Sequence, residues 1–91
     1  MRVQKKDGTI EPFDPSKVRQ WVTWSVRGQR DRIRMEYEIL EETFNRLPNN
    51  VTTEEIHQTI INVCLDKEEL KYSRVASELE LASIYKAQEH L

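Results

Sequence analysis

Three lysines and two carboxylates crowd the stretch KKDGTIEPFDPSK between Lys5 and Lys17. Lys5, Lys6 and Lys17 flank a candidate hairpin turn and a candidate helix start, where free amides and the positive end of the helix dipole favour an anion. Glu11 and Asp14 add hydrogen-bond acceptors beside them. A phosphate site is one reading of this cluster; lysines that keep a hairpin soluble are the other. Catalysis has little to draw on. The sequence holds no serine or cysteine with a recognisable base, no HExxH, and no glycine-rich phosphate loop among its two glycines. Paired carboxylates such as Glu41 with Glu42, and Glu54 with Glu55, are adjacent on helices, diverge, and read as solvated surface.

The elements that must position these groups can be read from local signals. Asp7-Gly8 suits a tight turn with positive backbone angles, which predicts a β-hairpin over residues 2–13, with Pro12 marking its second strand as an edge. Asp14-Pro15 predicts a helix start: the carboxylate accepts from orphan amides, and proline takes the position where a missing N–H matters least. That helix runs from Pro15 to about Arg27, with Val18, Trp21, Val22, Ser25 and Val26 as its buried stripe and Gly28 as its stop. Ile33, Tyr37, Leu40, Phe44 and Leu47 are spaced as one apolar stripe of a second helix, about 32–47, ending before Pro48. After LPNN, Thr52 with Glu55 predicts a capping box, and Val51 with Ile56 a hydrophobic staple. The third helix, about 53–65, carries Ile56, Ile60, Ile61, Val63, Cys64 and Leu65, an arc broad enough to be covered on more than one side, and is expected to be central. A charged break, DKEELK, precedes a fourth helix, about 71–90, with Tyr72, Val75, Leu79 and Ala82 inward and Lys86 one turn further along.

At 91 residues the chain suits one small domain with a core just sufficient for folding. A third of it is charged, and the net charge of -2 gives no global basic field to draw it onto nucleic acid or anionic lipid. No apolar run approaches the roughly 18 residues that span a bilayer, and Lys5, Lys6 and Asp7 interrupt any signal-like segment at once. A soluble protein of a reducing cytoplasm is expected. The lone Cys64 excludes a disulfide framework, and with only His57 and His90 beside it a structural zinc site is not expected. The ending IYKAQEHL carries no glycine or proline stop, which points to a piece of a longer chain.

Three separated segments, VQKKDGTIEPFDPSKV, VTTEEIHQTI and RVASELELASIYK, together resemble the ATP-cone, the allosteric nucleotide-binding domain at the N-terminus of many ribonucleotide reductase large subunits. The family pattern of V-x-K-R-D-G, an acidic residue, F-[DN], a lysine three further on, T-x-x-I-H and a terminal alanine-rich helix is matched in order over nearly the whole chain. The resemblance implies an α+β fold, mainly α: a four-helix unit capped by a small three-stranded sheet that includes the hairpin. It also implies an adenine nucleotide, ATP or dATP, between hairpin and helices. Val3, Lys5, Lys6 and the Asp7-Gly8 turn would lie along the nucleotide, Glu11 and Asp14 near the adenine, Lys17 in the first turn of its helix, Thr53 and His57 at the start of the third, and Lys86 near the phosphates.

These positions make chemical sense. An adenine amino group needs acceptors, a triphosphate needs several cations, and Thr53 and His57, four apart, can donate to ribose or phosphate oxygens. His57 read by itself is a helix residue with a local hydrogen bond. For Asp14, capping and base recognition compete for two oxygens. Lys6 stands where the family commonly has arginine, keeping the charge but losing the bidentate fork. The arginines of VRGQRDRIR read as a solvated turn, with a subunit contact as the alternative, and Trp24 and Tyr85 as either core or interface. By resemblance the chain is a regulatory domain without its own catalysis, with a reductase catalytic domain and subunits as partners, oligomer contacts, and magnesium accompanying the nucleotide. Two alternatives stand beside it: the cone module of a nucleotide-responsive transcriptional repressor, and a cone that has lost its nucleotide and keeps only a packing face.

Overall fold

In the computed structural model, which describes residues 2–4 and 8–89 and, in the last helix, side chains through Leu81, the strands β1 (Arg2–Gln4) and β2 (Ile10–Pro12) pair antiparallel with Val3 opposite Glu11. Lys5, Lys6 and Asp7 lie outside the described residues; Gly8 follows them with a φ of +87°, the left-handed backbone that favours glycine in such a turn. A third strand, β3 (Asn50–Thr52), lies parallel to β1 on its other side, with Val3 opposite Val51, so the sheet order is β2-β1-β3. Residues directly opposed across strands project to the same face. Glu11, Val3 and Val51 therefore share one face, and Val51 is buried there. Parallel strands need a long connection; here it comprises β2 and the helices α1 (Pro15–Ser25) and α2 (Arg32–Arg46).

Both helix starts read from the sequence are built as caps. Asp14 Oδ1 accepts from the Ser16 amide at 3.0 Å, with Pro15 as the first residue of α1. Thr52 closes the capping box with Glu55: its hydroxyl accepts from the Glu55 amide at 3.0 Å, and the Glu55 carboxylate accepts from the Thr52 amide at 3.4 Å. Helix α3 (Thr53–Asp66) thus begins on the residue after β3, with no linker. It is followed by α4 (Leu70–Glu89), across a turn in which Glu68 takes a left-handed φ of 56°; that conformation costs a non-glycine residue about 1 kcal/mol.

Helix α3 is central, packed on both α2 and α4, while α1 leans on α2 and α4. Its Ile56, Ile60, Ile61, Val63 and Cys64 are buried, whereas Leu65, expected in the same arc, is half exposed. Burial pushes the Cys64 thiol up to about 12, which leaves it an inert core side chain. Val18 and Val22 of α1 and Tyr72, Val75 and Leu79 of α4 complete the core. Ala82 and Tyr85 have side chains outside the described set. Trp24 is 43% exposed and carries the Arg27 guanidinium 3.8 Å above its ring, so it belongs to the surface. Among the described residues no helix is long and apolar enough to cross a membrane.

Helix α2 is rotated from the expected face. Ile33 and Tyr37 are 77% and 68% exposed, and the core stripe is instead Met35, Ile39 and Thr43, with Leu40 and Phe44 at its margin and Leu47 just beyond. The two stripes share their C-terminal end and differ by about half a turn at the other. Polar contacts with α4 agree with the observed rotation. The buried Tyr72 hydroxyl donates to Glu38 at 2.7 Å, and Lys71 donates to Asp31 at 2.6 Å, so these acidic residues face α4. The polar Thr43 in the stripe hides it from a search for apolar spacing.

Thr43 is fully buried, and its hydroxyl oxygen has no hydrogen-bond partner among the described residues. A buried hydroxyl left unsatisfied costs about 1–3 kcal/mol. Thr43→Val is therefore expected to stabilise the fold by about 1 kcal/mol, seen in urea denaturation as a higher midpoint at unchanged slope. A lower midpoint would mean that the hydroxyl finds a partner in solution.

Candidate functional site

The sheet register and the two caps converge on one open cleft. Val3, Glu11 and Pro12 come from the hairpin strands, Phe13 and Asp14 from the link to α1, Lys17, Val18 and Trp21 from α1, and Thr53 and Ile56 from the first turn of α3. Glu11 reaches the cleft because it opposes Val3 on the sheet face that carries Val51. Phe13, two residues on, packs edge-to-face on Phe44 of α2, with ring centroids 6.1 Å apart, which anchors the link to the core. Two helix N-termini, those of α1 at Asp14 and α3 at Thr53, therefore border the same cleft. Each contributes the positive end of a helix dipole.

Charge in the cleft is arranged in pairs. Lys17 Nζ lies 3.7 Å from Glu11 Oε2, with both side chains about half exposed. An exposed pair of this kind is weakly held, so both groups can be redirected to a ligand at little cost. Asp14 Oδ1 accepts from the Ser16 hydroxyl at 2.7 Å as well as from the Ser16 amide. The hydroxyl bond, then the amide bond, hold the Asp14 carboxyl below its ordinary 3.8, with a smaller contribution from Lys17. Capping and ligand recognition need not exclude each other, since both capping bonds end on Oδ1.

Of the positions singled out in the sequence, Val3, Glu11, Asp14, Lys17 and Thr53 line this one cleft. His57 stands one turn along α3 from Thr53, outside the cleft lining, with its ring 4.3 Å from the indole of Trp21 between centroids and at 84° to it. Gly8 lies in the hairpin turn with open space around it, so the backbone and not a close neighbour demands glycine there. Lys5, Lys6, Asp7 and the side chain of Lys86 fall outside the described residues.

The apolar wall, Phe13, Val18, Trp21 and Ile56, is what sequence reasoning about charge missed. Trp21 follows Lys17 by four residues on α1, a spacing that places both on one side of the helix; this was the available signal. The arrangement suits a flat, partly apolar ring carrying an amino group that can donate to carboxylates, joined to an anion near Lys17 and the helix starts. Among the described residues no group of three or more His, Cys, Asp or Glu is placed to hold a metal ion.

The Asp14 cap gives a pH prediction. A carboxyl depressed in the folded state contributes stability that is fully present above its ordinary value and is lost as pH falls through the lowered one. In the wild type the Asp14 carboxyl signal, followed by NMR, should titrate below 3.8. Ser16→Ala removes the largest cause and should move that midpoint upward. An unchanged midpoint would mean that the hydroxyl bond does not persist in solution.

Comparison with known proteins agrees with this architecture. The chain is 31% identical over 86 residues to the ribonucleoside-diphosphate reductase subunit alpha of two Helicobacter pylori strains, 26695 and J99. The match covers 91% of this chain and 11% of each relative, so the chain spans only a small part of their length. A family model described as the ATP cone domain matches residues 1–86, from the first strand of the sheet into the last helix, and the chain belongs to that family.

Proposed function

We propose that this cleft binds an adenine nucleotide, ATP or dATP, and that the domain thereby regulates the overall activity of a ribonucleotide reductase. The observation that carries this reading is the meeting of Glu11, Asp14 and Lys17 with Thr53, about forty residues further along the chain, in one cleft bordered by two helix N-termini. Glu11 and Asp14 accept hydrogen bonds from the adenine amino group, and the apolar wall packs against the ring. Lys17 leaves Glu11 for the phosphates, joined by Lys5, Lys6 and Lys86, with Val3 and the Asp7-Gly8 turn alongside the nucleotide. Thr53 and His57 face the ribose, where ATP and dATP differ by one hydroxyl. Magnesium enters with the phosphates, keeping mostly water and phosphate oxygens as ligands.

The domain is regulatory and has no catalysis of its own; a reductase catalytic domain and subunits are its partners in the cytoplasm. Regulation works through subunit assembly. Tight binding alone shifts no equilibrium, so the two nucleotides must differ in their affinity for the two assembly states.

Titration calorimetry with ATP and dATP tests the reading directly. Heat that saturates below millimolar nucleotide is expected for at least one of them. Lys17→Ala and Lys86→Ala should each weaken binding by roughly tenfold, the scale of one charge-assisted contact, with circular dichroism unchanged. Absence of both heat and amide NMR shifts with either nucleotide at millimolar concentration would sink the proposal.

A further inference from the structure

We propose that the groove between the α1–α2 turn and α4, at the opposite end of α1 from the cleft, docks an acidic peptide segment of a partner protein, one of whose carboxylates replaces Glu78 on Arg27. The inference does not depend on the nucleotide reading. One wall of this open groove of about 340 Å³ is Arg27, Gly28 and Gln29, and the other is Arg74, Ser77 and Glu78.

Arg27 is held ready for such a partner. Its guanidinium lies 3.8 Å above the Trp24 ring and donates to the Trp24 carbonyl at 2.7 Å, so its plane is fixed before anything binds. It also donates to Glu78 Oε2 at 3.3 Å, in an ion pair whose side chains are 50% and 41% exposed. That is long for a charged pair, which usually sits at about 2.7–2.9 Å, and a pair so open to water is weakly held. The groove thus already holds one carboxylate, and holds it loosely. Arg74 stands one turn before Glu78 on α4, yet neither it nor the Gln29 carboxamide has a hydrogen bond or ion pair among the described residues. Donors therefore outnumber acceptors, two guanidiniums and a carboxamide around one loosely paired carboxylate, and an incoming carboxylate redresses the balance.

The surroundings decide the class of partner. The carbonyl end of α1 borders the groove, and its negative partial charge, together with Glu78, opposes a phosphate dianion more than a single carboxylate. Trp24, 43% exposed beneath Arg27, adds apolar surface; tryptophan and arginine are the side chains that most often carry the binding energy of protein interfaces. A peptide with a carboxylate beside an apolar side chain uses both.

Amide NMR on the 91-residue chain tests this with an acetylated, amidated hexapeptide of alternating aspartate and leucine, its asparagine counterpart, and inorganic phosphate. The aspartate peptide is expected to shift the Gly28, Gln29 and Ser77 amides, and the other two probes to leave them in place. Arg27→Gln and Arg74→Gln should each weaken the peptide by about three- to tenfold, the scale of one charge-assisted contact. Glu78→Gln, which removes the competing carboxylate, should tighten it by about two- to threefold. Arg19→Gln, at an exposed arginine of α1 outside the groove, should change nothing. Unchanged amides away from the groove verify that each variant is folded. No shifts at millimolar aspartate peptide overturn the inference. So do equal shifts with phosphate, which mean a bare anion site, and shifts confined to Lys17 and Thr53, which mean that the cleft took the peptide. A loss with Arg19→Gln as large as that with Arg74→Gln, meaning unspecific charge attraction, or a Glu78→Gln variant that binds no tighter, overturns it as well.

Discussion

Everything in the cleft depends on the pairing of one three-residue strand on both of its edges. β1 is held antiparallel by β2 and parallel by β3, with Val3 opposite both Glu11 and Val51. The first pairing sets the start of α1, because Asp14 follows β2 closely. The second sets the start of α3, because β3 runs straight into its cap. Two helix N-termini that are about forty residues apart in sequence are thus brought together by a few backbone hydrogen bonds. Neither helix packs mainly on the other; both lean on α2 and α4. The space between their first turns is left for the cleft, and side chains such as Trp21 and His57 span what remains.

Helices α2 and α4 have the complementary task of holding this arrangement from below. Polar bonds tie them: Tyr72 of α4 donates to Glu38 of α2, a carboxylate also held within α2 by Arg34 at 3.2 Å, and Lys71 of α4 pairs with Asp31, the residue before α2. Burial and the bond to Glu38 both push the Tyr72 hydroxyl well above its usual range, so it stays a donor at any ordinary pH. Directional bonds of this kind fix the rotation of a helix where apolar packing alone allows neighbouring solutions.

That distinction explains what was legible in the sequence. Local signals with one physical meaning were readable: the Asp14-Pro15 start, the Thr52–Glu55 box, the hairpin and the four helices; the third strand of the cap came only with the resemblance. Signals that depend on a distant partner were not. β3 is only three residues long and exists because β1 lies beside it, which no local pattern announces. The α2 face was misread because Ile33 and Tyr37 continue an apolar spacing on the outside, while Thr43 interrupts the true stripe with a hydroxyl. In the cleft, charged positions were found by family spacing, but the apolar wall was hidden inside stripes that read equally well as core. Trp21 is both: packed against the core and lining the cleft.

The absence of a linker between β3 and α3 bears on where this chain can tolerate a change of length. One residue inserted between Val51 and Thr53 would leave Val51 paired with Val3 and swing α3 by about 100° about its axis, taking Thr53 away from the cleft. Insertions around Gly28, in the turn between α1 and α2, would meet no such penalty, since no side-chain volume crowds that position. The domain is thus unequally elastic along its length: slack where α1 is joined to α2, and without slack at the joint where β3 becomes α3.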